Sequence, residues 1–278
     1  MASFGIKKVK NTDIASSYDI VSKGYDTYFL KTMHRHNDEV LSLLLKKSVG
    51  EQVLDLACGT GYNTRFLQKH GVKAEITLVD LSEGMLTQAK EKSVNNNQQL
   101  TFIHQDMLSY LRSCPDEKYD TVICMWAIKY QPPMQVIKEC ARILKKGGRM
   151  AVIVNTADTL LEIRALYPKL LVRNVLSIQR IMRDLPNPKN SKVFEGWFTD
   201  CGFDVTLVQK GSQRFGFANA AELVEFVTAT GALAGYDRMI DLRSDKIKQQ
   251  MIQYFDTKQI DSTEHRFVYG IFEKRKNV

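Results

Sequence analysis

The sequence predicts an α/β fold built on a doubly wound, mostly parallel sheet. Between residues 51 and 155, short apolar runs alternate with amphipathic helical runs, which is the pattern of strands joined by crossover helices. Gly59 and Gly61 follow the first apolar run, and Asp80 and Asp106 end the second and third. Such sheets bind ligands beyond the carboxyl ends of their strands, where the strand order reverses. We therefore expect the functional site at that edge.

Five strands are predicted in this first half, over residues 51–57, 74–80, 100–106, 119–125 and 149–155. The first helix follows Gly61 and ends at Gly71, and Ser82 is the expected N-cap of the second. A third, short helix starts at Met107. The fourth helix is expected to run from Met134 until Gly147 stops it, with one apolar face formed by Ile137, Cys140, Ala141 and Leu144.

The second half departs from this alternation. Residues 158–183 have a helical pattern that Pro168 interrupts, and a loop with two prolines follows at 184–190. A short helix turning at Gly202 precedes a sixth strand at 204–210. Two more helices are predicted at 218–231 and 244–258, and a half-exposed strand at 265–274.

Composition narrows the class of protein. The chain has 278 residues and a formal net charge of +8, and no stretch approaches the roughly 20 apolar residues of a membrane span. The N-terminus lacks the apolar core of a secretory signal, so we expect a cytoplasmic protein. The five cysteines form no CxxC pair, which favours reduced structural thiols and no metal site.

The basic residues form short clusters without interleaved aromatic residues. Solvated helix ends and tails explain these clusters, and attraction for an acidic substrate or carrier is the functional alternative. A groove for nucleic acid usually has interleaved aromatic side chains. The pattern therefore makes a nucleic-acid partner unexpected.

The glycine turn suits two ligands, a dinucleotide or a methyl donor. A dinucleotide motif has a third glycine, and this chain has Thr64 at that position. Asp55, just before the turn, suits a cationic ligand better than a pyrophosphate. Asp80 is placed to accept hydrogen bonds from ribose hydroxyls, and Asp106 from an adenine amino group. Acidic residues on three successive strands therefore indicate a binding site for an adenosine that carries a positive charge.

Five motifs then resemble, in order, those of class I S-adenosylmethionine-dependent methyltransferases. They are VLDLACGTG, LVDLSEGML, FIHQDM, YDTVICMWAIKY and ARILKKGGRMAVIV, within residues 51–155. The family usually has a glycine where this chain has Ala57, and we expect that alanine to crowd the cofactor only slightly. The resemblance implies a Rossmann-like, seven-stranded sheet whose last strand, at 265–274, is antiparallel.

The resemblance also implies S-adenosyl-L-methionine as cofactor, S-adenosyl-L-homocysteine as product, and a set of cofactor-binding residues. Asp55 would face the cofactor's ammonium through water, and Gly59 and Gly61 would let the backbone approach it. Ala57 would also contact the cofactor. Asp80 would hold the ribose. The remaining cofactor contacts would be Leu81, Met85, Asp106, Met107, Met125 and Trp126. Two alternatives stay open: the methionines could be ordinary core residues, and Asp106 could cap the following helix.

The rest of the chain is expected to recognise the acceptor. We predict one structural domain with three parts: an N-terminal helical segment over the active site (1–50), the cofactor-binding core (51–155) and the remaining sheet with helical lid insertions at 156–190 and 211–262. Acceptor contacts are expected from Tyr18, Tyr25, Lys129, Tyr130 and Phe217. Alternatively, the insertions only cover the edge of the sheet. No catalytic base can be named.

The sequence thus predicts a methyltransferase acting on oxygen, carbon or nitrogen of a small or medium organic acceptor. The layout resembles the branch of quinone C-methyltransferases and carboxyl O-methyltransferases, some of which act on carrier-bound acids. The alternatives are an RNA methyltransferase, a non-catalytic regulator that binds S-adenosylmethionine, and a nicotinamide dehydrogenase.

Overall fold

A computed structural model describes residues 7–93, 98–182 and 184–276. Residues 1–6 and 277–278 of the predicted terminal segments lie outside the described residues, as does residue 183 of the predicted helical stretch. The strands are β1 (Lys7–Lys8), β2 (Gln52–Leu56), β3 (Glu75–Asp80), β4 (Leu100–His104), β5 (Tyr119–Met125), β6 (Leu144–Asn155), β7 (Arg180–Ile181), β8 (Phe203–Gly216) and β9 (Ser262–Lys274).

The helices flank these strands. They are α1 (Asn11–Val21), α2 (Lys31–Leu44), α3 (Tyr62–Lys69), α4 (Glu83–Lys92), α5 (Met107–Ser113), α6 (Pro133–Ile143), α7 (Leu161–Arg164), α8 (Tyr167–Arg173), α9 (Ser191–Thr199), α10 (Ala220–Ala229) and α11 (Asp245–Thr257). Asp26–Leu30 forms a π-helical turn, and short 3₁₀ turns lie at Ile128–Tyr130, Val175–Ser177 and Tyr236–Arg238. Within the described residues, no helix combines the length and apolar character that crossing a membrane requires.

The main sheet has seven strands in the order β4-β3-β2-β5-β6-β9-β8. Strands β2 to β6 pair in parallel, and β9 is antiparallel to both of its neighbours. The prediction of a doubly wound, mostly parallel sheet with one antiparallel strand is confirmed. The strand order reverses between β2 and β5, so a ligand site is expected beyond their carboxyl ends. A separate parallel ribbon of β1 and β7 was not predicted.

Each face of the sheet carries its own apolar layer. Successive strand residues point to opposite faces, so Val53 joins one layer and Leu54 the other. Helices α2, α3, α4, α10 and α11 contribute to the first layer, and α5, α6 and α9 to the second. In the second layer the rings of Phe198 and Phe272 stack with centroids 3.6 Å apart. Because both faces of the sheet are buried, the sequences of these strands are nearly continuous apolar runs.

Two predicted helix boundaries were wrong. Helix α6 ends at Ile143, and Leu144, expected on its apolar face, already belongs to β6. Tyr119 pairs with Leu144 and Thr121 with Arg149, so the chain makes an irregular excursion between these pairs. Gly147 lies in that excursion with φ of 74°. Pairing with β5 therefore overrides the local helical pattern.

The second wrong boundary concerns the insertions. Residues 211–216, expected in a helical insertion, extend β8 and pair with β9 as far as Ser262. Gly211 leaves room there for the ring of Phe267 on the paired strand. The predicted helical stretch from residue 158 splits into α7 and α8, which a 3₁₀ turn and β7 follow, and Pro168 occupies the first turn of α8. A proline is tolerated at that position because its missing N–H has no helical partner.

Candidate active site

The turn after β2 carries the glycines of the first motif. Gly59 and Gly61 have φ of 54° and 78°, and Ala57 has φ of 57°. A Cβ added at Gly59 would meet no atom within 4 Å, so the backbone borders open space there. A Cβ at Gly61 would lie 3.1 Å from the Cβ of Ala89. Gly59 therefore leaves ligand space, whereas Gly61 allows the turn to pack against α4.

Asp80, the last residue of β3, is fixed beside this turn. Its Oδ2 accepts a hydrogen bond of 2.8 Å from the Gly59 N–H, and its Oδ1 accepts one of 2.8 Å from the Ser82 N–H. Burial raises the pKa of this carboxyl above its usual range. Each carboxylate oxygen has further acceptor capacity. The side chain is thus held in one orientation and can still accept hydrogen bonds from a ligand.

A cavity, here named the strand-end cavity, lies beyond the carboxyl ends of β2 to β5. Residues of α1 also line it, including Asn11, Ile14 and Tyr18. The structure brings together the following predicted cofactor residues around this cavity: Ala57, Gly59, Asp80, Leu81, Met85, Asp106, Met107, Met125 and Trp126.

Asp106 has two roles in the described structure. Its Oδ1 caps α5 by accepting hydrogen bonds from the N–H groups of Leu108 and Ser109, at 3.1 and 3.0 Å. Its Oδ2 accepts hydrogen bonds from the side-chain amides of Asn11, at 3.3 Å, and Gln131. The helix cap considered from the sequence is therefore present, and the same side chain lines the cavity. Asn11 and Gln131 also line the cavity and were missed by the sequence analysis.

Asp55 does not line the strand-end cavity. It is 1% exposed and accepts hydrogen bonds from Asn63 Nδ2 at 3.0 Å and Thr64 Oγ1 at 2.9 Å. Burial raises its pKa to about 6, although these two hydrogen bonds favour the charged form. The carboxyl group thus anchors the first turns of α3 beneath the glycine turn.

A buried relay of side chains continues from Asp55 to Trp126. Asn63 Oδ1 accepts a hydrogen bond from Asn37 Nδ2 at 2.9 Å, and Asn37 Oδ1 accepts one from Trp126 Nε1 at 2.8 Å. Trp126 lies just after β5 with φ of 67°, and its ring packs against Phe267 with centroids 5.0 Å apart. The two asparagines have no motif in the sequence that would have identified them.

Three tyrosines border the strand-end cavity. Tyr18 and Tyr25 come from the N-terminal segment, and Tyr130 comes from the 3₁₀ turn after β5. The hydroxyls of Tyr18 and Tyr130 are 2.6 Å apart, and the Tyr18 and Tyr25 rings meet edge to face at 6.1 Å. Burial raises the pKa of all three phenols, that of Tyr130 to about 12. All three are therefore protonated at neutral pH and can donate hydrogen bonds.

A second cavity, the insert cavity, adjoins the first at Tyr130, which lines both. It measures about 630 Å³, and residues from the segments 155–171, 184–187 and 232–239 form much of its wall. Lys129 lines this cavity and Phe217 lines neither. Phe217 packs instead on Phe226, with ring centroids 5.3 Å apart. A volume of this size is typical of sites for small organic ligands.

Residues 53–148 match the family model described as "Methyltransferase domain". Over these residues, about a third of its length, the chain is similar to methyltransferase domains. S-adenosyl-L-methionine is the methyl donor implied by this domain, and S-adenosyl-L-homocysteine is the product.

A curated relative is the ubiquinone biosynthesis O-methyltransferase of Vibrio cholerae, 28% identical over 158 residues. The match covers 54% of this chain and 63% of that protein, less than two thirds of its length. The YcgJ protein of Bacillus subtilis shares the fold with a TM-score of 0.57 and 17% identity, covering 86% of this chain and 99% of that one. A candidate sarcosine dimethylglycine methyltransferase of Galdieria sulphuraria has a TM-score of 0.55 and 18% identity, covering 88% and 87%.

Proposed function

We propose that this protein transfers a methyl group from S-adenosylmethionine to a small or medium organic acceptor. The observation that carries the proposal is the pairing of Asp80 with the Gly59 N–H at the edge where the strand order reverses. A fixed carboxylate beside bare backbone, with apolar side chains around it, suits a nucleoside with vicinal hydroxyls.

The residues around the strand-end cavity fit the methyl donor. Asp80 would accept hydrogen bonds from the ribose hydroxyls, and the open space at Gly59 would admit the donor next to the backbone. Leu81, Met85 and Met107 would pack on the adenine. Asp106 would accept a hydrogen bond from its amino group, in exchange for one of the two amides now bound to Oδ2.

Met125 and Trp126 would form the wall of the strand-end cavity next to the donor's sulfonium group. S-adenosylmethionine, when bound, supplies a methyl group already activated by the sulfonium charge. The chain's own task is then to hold donor and acceptor close, aligned and dry. The buried relay from Asp55 to Trp126 would fix the orientation of that wall. Tyr18 and Tyr25 would close the N-terminal side.

We further propose that the acceptor enters the insert cavity, next to Lys129 and Tyr130. Three observations support a small molecule rather than a nucleic acid: the cavity's size, its partial enclosure by α7 and α8, and the absence of aromatic residues among the basic clusters. We propose an acidic or carrier-bound acceptor, because the chain has an excess of basic residues. A cytoplasmic location is part of the proposal, supported by five unpaired cysteines.

Methylation of a hydroxyl is the first acceptor chemistry to test, because the Vibrio cholerae relative is named for O-methylation in ubiquinone biosynthesis. Turnover of any acceptor separates an enzyme from a non-catalytic regulator. A panel of phenols, carboxylic acids and amines with methyl-labelled S-adenosylmethionine provides this measurement.

The donor site is tested by Asp80→Asn. The change removes charge-assisted hydrogen bonds, each contributing about 1.5–3 kcal/mol, so we expect at least about tenfold weaker binding of S-adenosylmethionine and S-adenosylhomocysteine in calorimetry. Glu75→Gln, at the exposed other end of β3, is the matched control and should bind normally. A folded Asp80→Asn protein with unchanged affinity for both ligands would contradict the proposal; thermal melts establish that it is folded.

A further inference from the structure

We infer that the insert cavity binds an acceptor with an anionic oxygen and hydroxyl groups, and that the Lys129 ammonium binds the anionic oxygen. The inference rests on the proposed function and specifies the acceptor's chemical class. Carboxylates and phenolates share the required anionic oxygen, and the experiment below distinguishes between them.

Lys129 is a buried amine without an acidic partner. It is 6% exposed and belongs to the 3₁₀ turn that follows β5. Within the described residues, its ammonium makes no ion pair, and its polar neighbour is the Tyr130 ring, 5.2 Å from Nζ. Burial lowers its pKa to about 8. A buried cation is costly unless it is paired, so a bound anion would provide the missing interaction.

The other charged groups of the cavity leave an excess of positive charge. Arg164 and Asp184 line the same cavity and form an ion pair, with a guanidinium nitrogen 3.7 Å from a carboxylate oxygen. Their charges therefore offset each other. Asp184 also accepts a hydrogen bond of 3.3 Å from the Tyr236 hydroxyl. His265 lies near enough for Lys129 to influence it, but burial and the lysine charge lower its pKa to about 3. It is therefore neutral and does not balance the ammonium.

Three buried polar atoms on the cavity residues indicate where hydroxyl groups would bind. Asn155 Oδ1, Asn187 Oδ1 and the Tyr167 hydroxyl have no hydrogen-bond partner in the described part of the chain. Buried polar atoms in folded proteins are rarely left unpaired. Three of them around one cavity, together with an unpaired cation, suit an acid or phenolate that carries further hydroxyl groups.

The position of this site relates it to methyl transfer. Lys129 and Tyr130 are adjacent in the chain, and Tyr130 borders both cavities. An acceptor anchored at Lys129 would therefore lie next to the strand-end cavity. Lys129 binds and orients the acceptor in this arrangement.

Two matched pairs of probes test the inference by calorimetry on the full chain with S-adenosylhomocysteine present. The first pair is 3,4-dihydroxybenzoate and its neutral amide, 3,4-dihydroxybenzamide. The second pair is 4-nitrocatechol, ionised at pH 8, and catechol, which is neutral. We expect the anion of at least one pair to bind at least about tenfold more tightly than its partner. The pair that shows this preference identifies the carboxylate or the phenolate as the preferred group.

Lys129→Met should reduce the preference to less than about twofold, whereas Tyr167→Phe should weaken both members of the pair equally. Lys138→Met, which removes an exposed lysine of α6, should leave the preference intact. Thermal melts confirm folding of each variant. Removal of a buried charge should not destabilise the Lys129→Met protein.

The inference is overturned if no probe binds, if neither anion is preferred, or if the preference persists in Lys129→Met. These results are independent of the donor site. Normal binding of S-adenosylmethionine without an anion preference contradicts this inference alone. Lysine-dependent anion binding in a protein that does not bind S-adenosylmethionine contradicts the proposed function.

Discussion

At the scale of single residues, Asp55 is an acidic residue of the first motif whose side chain contacts other side chains of the protein and does not line the strand-end cavity. Its carboxyl group binds Asn63 and Thr64 of α3, and the relay through Asn37 ends at Trp126. A charge buried to this extent remains tolerable because both oxygens accept hydrogen bonds. Asp55 thus connects β2 to the wall of the strand-end cavity and would act as a positioning residue.

The pKa of Asp55 leads to a prediction about stability. Its folded value of about 6 lies above the ordinary value of 3.8. Between these values the folded state retains a proton that the unfolded state has lost. This residue's contribution to the free energy of unfolding is therefore present below about pH 4, and falls by about 3 kcal/mol as pH rises through 6.

Urea denaturation of the wild type and of Asp55→Asn at pH 4, 5, 6 and 7 measures this contribution. Asparagine is close to isosteric and does not titrate, so we expect the wild type's advantage over the variant to shrink across that window. Titrations elsewhere in the chain cancel in the difference. Parallel stability profiles for the two proteins would show that Asp55 does not titrate as inferred.

Ala57 lines the strand-end cavity and also has an unusual backbone conformation. From the resemblance, the glycine that the family usually has at this position was expected to leave space for the cofactor. In the structure, Ala57 has φ of 57°, a conformation that costs a residue with a Cβ about 1–2 kcal/mol. The backbone conformation of the turn is therefore a sufficient reason for glycine at this position.

At the scale of elements, α10 packs as part of the core. Phe226 is 9% exposed and contacts Phe215, with ring centroids 4.7 Å apart, and Phe217. None of the three lines either cavity. The packing favours the view that α10 itself covers the sheet, while α7, α8 and residues 232–239 provide cavity wall.

Phe226→Ala is expected to lower the free energy of unfolding by about 3–5 kcal/mol, because it removes a buried ring and leaves a cavity. The folded variant should use the acceptor normally. Val172→Ala, on the exposed side of α8, should change stability by less than about 0.5 kcal/mol. A stable Phe226→Ala protein with a raised acceptor constant and unchanged donor affinity would restore the lid interpretation of α10.

At the scale of the whole molecule, Asp26 attaches the N-terminal segment to the core. Its Oδ1 accepts a hydrogen bond from Thr60 Oγ1 at 2.7 Å, and its Oδ2 lies 2.8 Å from Lys92 Nζ and 3.5 Å from Arg65. These contacts join the π-helical turn to the glycine turn, α3 and α4. The segment they hold contributes Tyr18 and Tyr25 to the strand-end cavity.

Asp26→Ala should therefore loosen the segment and weaken donor binding several-fold, with a stability loss of about 1–2 kcal/mol. Hydrogen exchange in α1 should become faster than in β2, because local opening would no longer be opposed by these contacts. Asp204→Ala, which removes the exposed ion pair with Arg275, is the control and should change neither property. Unchanged exchange in α1 would show that other contacts hold the segment.

The strands β2 to β5, the glycine turn and the position of Asp80 and Asp106 at the sheet edge could all be predicted from the sequence. These features follow from apolar periodicity and turn residues, which act within a few positions of the chain. The end of α6, the length of β8 and the internal contacts of Asp55 were decided only in the tertiary structure. So was the grouping of Lys129, Asn155, Tyr167 and Asn187 around the insert cavity, where each has a polar atom or charge without a partner among the described residues. Each depends on groups from distant segments that meet after folding, and such meetings leave no periodic pattern in the sequence.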